Sequence, residues 1–104
     1  MNYKYYSTST LNYLRIKYTE FYNIYNKDYK NIKTEINRLQ YRLIYLETND
    51  NDFNNPTIKA YLEIINSLNE RKKVIEIKKI DLLKSIEDIE NILKTRGVII
   101  NADF

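Results

Sequence analysis

From Leu11 onward the apolar residues recur at Leu11, Leu14, Tyr18, Phe21, Tyr25, Tyr29, Ile32, Ile36, Leu39, Leu43 and Leu46, in steps of three and four. Side chains spaced this way share one face of an α-helix, and a sustained three–four alternation is the a and d pattern of a coiled coil. The alternation slips once, with two successive steps of four between Phe21 and Tyr29. Such a stutter locally unwinds a supercoil. Ser7-Thr8-Ser9-Thr10 supplies hydroxyls for an N-cap just before the pattern begins. The pattern predicts a first helix from about Thr10 to Glu47.

The segment from Thr48 to Asn55 is rich in Asn and Asp, whose side chains compete with a helical backbone for hydrogen bonds. It predicts a turn over residues 48–55. Asn55 followed by Pro56 reads as an N-cap and first helical residue, because Pro lacks an N–H that would be unsatisfied there in any case. Beyond it Ile58, Tyr61, Ile65, Leu68, Lys72, Ile75, Lys79, Leu82, Ile86, Ile89 and Leu93 again step by three and four. Gly97 suits a left-handed C-cap, with Lys94 and Arg96 in the last turn opposing the negative helix end. The second helix is therefore expected from about Pro56 to Arg96, with a short tail over residues 97–104.

Helices of about 57 and 61 Å, at 1.5 Å per residue, joined by so short a turn fold back on each other. The expected fold is all-α, an antiparallel two-helix coiled-coil hairpin in a single domain. Placing Leu46 opposite Ile58 makes residue numbers across the seam add to about 104. That register sets Lys72 near Glu35 and Lys79 near Asp28, buried ion pairs that would specify alignment at some cost in stability. Ile16, Ile24, Tyr41, Tyr45, Val74, Ile77, Ile80 and Ile92 fall off the seam, and two helices alone cannot bury them. The expectation is a homodimer closing into a four-helix bundle.

Composition narrows the chemistry. The 104 residues allow one domain at most, and the absence of His and Cys removes imidazole acid–base steps, thiol nucleophiles and the usual zinc and iron–sulfur sites. No run of about 18 apolar residues is present, and no apolar core follows Lys4 to make a secretory leader, so an intracellular or virion-associated protein is expected, with no membrane partner. Ile, Asn, Lys and Tyr make up about half of the chain, and all four have codons built only of A and T, which points to an AT-rich genome, microbial or viral.

Asp50, Asp52 and Asn54 match the first three ligand positions of a calcium-binding loop, but Asn55 stands where that loop needs Gly and Tyr61 where it needs Glu, so an ordinary turn is the better reading. Glu87, Asp88 and Glu90 have no companion Glu-x-x-His and read as a solvated acidic face. No metal, cofactor or catalytic residue is expected. Arg71, Lys72, Lys73, Lys78 and Lys79 concentrate cations on the second helix, yet the net charge is only +3 and Glu70, Glu76 and Asp81 are interleaved with them. The composition thus favours a non-enzymatic module that binds another protein: an assembly component, an adaptor or an inhibitor. The residues expected to carry binding are Tyr41, Tyr45, Ile77 and Ile80, with Arg71, Lys73 and Lys78 as a polar rim. The alternatives are a nucleic-acid partner met by basic, Tyr-rich faces, and a small coiled-coil chaperone.

Overall fold

The computed structural model describes residues 2–49 and 55–100. The Asp50–Asn54 oxygen pattern and the end of the tail, residues 101–104, lie outside the described residues. A 3₁₀ turn at Tyr3–Tyr5 precedes two long helices, α1 (Thr8–Asn49) and α2 (Pro56–Thr95). The two pack against each other as an all-α helical hairpin.

Three of the four helix ends have the local chemistry that the sequence predicts, whereas α1 runs on through Thr48 and Asn49, which the sequence assigns to the turn. The Thr10 amide donates to Ser7 Oγ at 3.1 Å, so capping starts α1 two residues before the apolar stripe alone suggests. Asn55 Oδ1 accepts from the Thr57 amide at 2.8 Å, with Pro56 as the first residue of α2. At the other end Gly97 has φ +81°, the Gly97 amide donates to Lys94 O at 3.0 Å, and the Val98 amide donates to Leu93 O at 2.9 Å. This is the paired-bond Schellman arrangement, and only glycine enters that backbone region without strain.

The chain divides into two compact units, one formed by residues 27–76 and the other by residues 1–26 with 77–104. The core of the 27–76 unit is Ile32, Ile36, Leu39 and Leu43 of α1 against Ile58 and Ile65 of α2, with Leu46, Tyr61, Leu68 and Ile75 packed around them. All ten belong to the two predicted stripes. At one end of this unit the Tyr29 hydroxyl donates to Glu76 Oε1 at 2.8 Å, which fits the expected antiparallel register.

The terminal unit differs more from expectation. Its core joins Leu11 of α1 and Ile89 and Leu93 of α2 to Tyr3, with Tyr6, Leu14, Tyr18, Ile92, Val98 and Ile100 against them. Tyr3 and Tyr6 lie ahead of the helical pattern, so periodicity gives no hint of their burial. They are held by Arg96, whose guanidinium donates to Tyr6 O at 2.8 Å, Lys4 O at 2.9 Å and Thr8 Oγ1 at 3.2 Å. Arg96 therefore ties the N-terminal turn down as well as closing a helix end. Ile92, expected off the seam, is half-buried in this cluster.

Two details of the seam change. Phe21 is 48% exposed, whereas the neighbouring Tyr22 is half-buried. The stripe in this unit therefore runs Leu14, Tyr18, Tyr22, Tyr25, and the two successive steps of four fall at Leu14, Tyr18 and Tyr22, two steps earlier than the sequence suggests. The expected Lys72–Glu35 pair is not formed. Glu35 accepts instead from Arg38 Nε on its own helix at 3.1 Å, and the Lys72 ammonium stands 5.8 Å from the centre of the Tyr29 ring. Arg38, one turn from Glu35, reaches it without crossing the seam, and a tyrosine face stabilises a lysine without stripping away all of its water. In the terminal unit Lys79 likewise stands over Tyr22 at 5.8 Å and Lys78 over Tyr25 at 5.5 Å.

Candidate protein-binding surfaces

The outward face of α1 near its C-terminal end carries Tyr41, Ile44 and Tyr45, exposed by 81%, 63% and 68%. Spacings of three and four residues put the three side chains on one patch of the helix. Beside it Tyr41, Arg42, Tyr45 and Leu46 of α1 and Thr57 and Tyr61 of α2 line an open groove of about 410 Å³. The lining offers ring faces, aliphatic carbon, hydroxyls and one guanidinium. Such a set can bury an apolar side chain and orient a carboxylate or carbonyl at its edge. Arg38, in the same unit, is engaged by Glu35, which raises its pKa, and that of Glu35 is lowered by the same contact.

Of the residues expected to bind a partner, the 27–76 unit holds Tyr41, Tyr45, Arg71 and Lys73, all exposed. Ile77, Lys78 and Ile80 are also exposed and belong to the terminal unit. Neither unit contains all seven. Tyr41 and Tyr45 are brought together at one groove. On α2, Ile77 and Ile80 are three residues apart and share one side of the helix in the terminal unit, whereas Arg71 and Lys73 belong to the 27–76 unit. Sequence reasoning missed Ile44, which a helical wheel places between Tyr41 and Tyr45. It also placed Phe21 in the seam, although Phe21 is exposed and lines a second groove with Tyr18 and Tyr25.

Among the described residues no group of three or more acidic side chains is placed to hold a metal ion, and no helix is long and apolar enough to cross a membrane. Two hydroxyls have perturbed acidity. Tyr29 is raised above its ordinary 10.0 by its hydrogen bond to Glu76, and Tyr18 is raised first by burial and then by its contact with Tyr3. Neither group lies at the Tyr41–Tyr45 patch. The chain matches no protein-family model, and comparisons with curated proteins and with solved structures find no match.

Proposed function

We propose that this protein is a non-enzymatic protein–protein interaction module whose helical hairpin presents Tyr41, Ile44 and Tyr45, beside Arg42, to another protein. The observation that carries the reading is the exposure of two tyrosines and an isoleucine together on one helix face. The stripes around Ile36 and Ile65 supply this unit's core, and Tyr41, Ile44 and Tyr45 lie outside it. Tyrosine and arginine are the residue types most enriched where proteins meet, because a ring or a guanidinium contributes large contact area together with a directional polar tip. Arg71 and Lys73 add cationic groups in the same unit, suited to steering an acidic partner.

The test is affinity capture with the wild type and with a Tyr41→Ala, Tyr45→Ala double variant, each at low and high salt. The reading expects a captured protein that persists at high salt and is lost in the variant while helicity is unchanged, since true anchor residues cost about 2 kcal/mol or more when truncated. Capture of nucleic acid that falls steeply with salt and depends on Lys73 and Lys78 instead would overturn it in favour of a nucleic-acid partner.

A further inference from the structure

The terminal unit has a second uncovered surface, made of different residues. Tyr18, Phe21, Tyr25 and Leu82 line an open groove of about 420 Å³ that also includes Lys78 and Asp81. Phe21 is 48% exposed, and Ile24, one turn further along α1, is 56% exposed. Lys78 and Asp81 have opposite charge and stand one turn apart on α2. Among the described residues the ion pairs are Lys17–Glu20 and Glu35–Arg38, so Asp81 has no cation against it and Lys78 rests only on the Tyr25 ring.

A surface with this charge order is complementary to an inverted copy of itself. In a two-fold contact each residue that meets a given partner residue is answered by the reciprocal contact, so Lys78 facing Asp81 occurs twice, whereas a face of one sign would repel its own copy.

We propose that a second copy of this chain covers the Phe21–Ile24 face of the terminal unit, with Lys78 of each copy meeting Asp81 of the other. Phe21 and Ile24 are the apolar anchors of this contact, and the two reciprocal ion pairs select its two-fold orientation. The contact is independent of the Tyr41–Tyr45 patch, so either proposal can fail alone.

Sedimentation velocity on the full chain over a concentration series, with circular dichroism on the same samples, tests the proposal. The wild type is expected to be a dimer at micromolar concentration. Asp81→Lys and Lys78→Asp, both at exposed positions, should each stay helical and weaken dimerisation about tenfold or more, because each places like charges opposite one another twice. An equimolar mixture of the two variants should recover the dimer, since Lys then faces Asp at both contacts. Phe21→Ala should weaken the dimer with the charges intact. A helical wild-type monomer at these concentrations would overturn the proposal. So would a dimer that ignores all three substitutions, or reversed variants whose mixture stays monomeric.

Discussion

Replacing Arg96 with Ala tests whether the N-terminal turn is part of the fold. Arg96 makes three hydrogen bonds, to Tyr6 O, Lys4 O and Thr8 Oγ1, across nearly the whole length of the sequence. The guanidinium is exposed, so each bond is credited only at the low end of the usual net value, and the three together are worth about 1.5–3 kcal/mol. Tyr3 is 8% exposed and packs with Leu11, Ile89 and Leu93, none of which has exposed surface. Its burial adds about 1.5–3 kcal/mol, less the entropy of ordering the first few residues. If Arg96 acts by holding Tyr3 in place, the two contributions are coupled. Urea unfolding of Arg96→Ala, Tyr3→Ala and the double variant, followed by circular dichroism, should then show each single change costing about 2 kcal/mol and the double costing little more than either. The expected coupling is about 1 kcal/mol or larger. Arg96→Lys should recover little, because one ammonium cannot span three acceptors. Strict additivity, or an Arg96→Ala variant as stable as the wild type, would refute the reasoning.

Gly97→Ala should cost about 1 kcal/mol, read as a lower melting temperature: an added Cβ meets nothing within 4 Å, so the whole effect is the strain of φ +81°. The raised Tyr29 pKa implies a stabilisation present below pH 10.0, the ordinary tyrosine value, and lost as pH rises through the higher folded-state value. Tyr29→Phe removes that titration, so the stability difference between wild type and variant should shrink or reverse from pH 9 to pH 11. A difference that is flat across this range would show that the Tyr29–Glu76 hydrogen bond does not contribute.

The all-α hairpin was legible from the chain because a helix repeats every 3.6 residues and a turn has its own chemistry. The Ile32–Leu46 and Ile58–Leu68 stripes, the Ser7 and Asn55 caps and the Gly97 terminus are all local patterns, each readable within a few residues. The exposed tyrosines at positions 41 and 45 were legible for the same reason, since they fall outside a stripe that is already complete. What local spacing cannot encode is which distant group a side chain meets. Tyr3 is buried against Leu11, Ile89 and Leu93, and Arg96 meets the carbonyls of Lys4 and Tyr6, which follow Tyr3 in the chain, while whether Lys72 meets Glu35 or the Tyr29 ring depends on competition from Arg38 along α1. The outward turn of Phe21, and with it the groove shared with Lys78 and Asp81, depends on the step at which the stutter is absorbed once α1 packs on α2. Heptad arithmetic leaves that step open by one residue, and only the packed helices decide it.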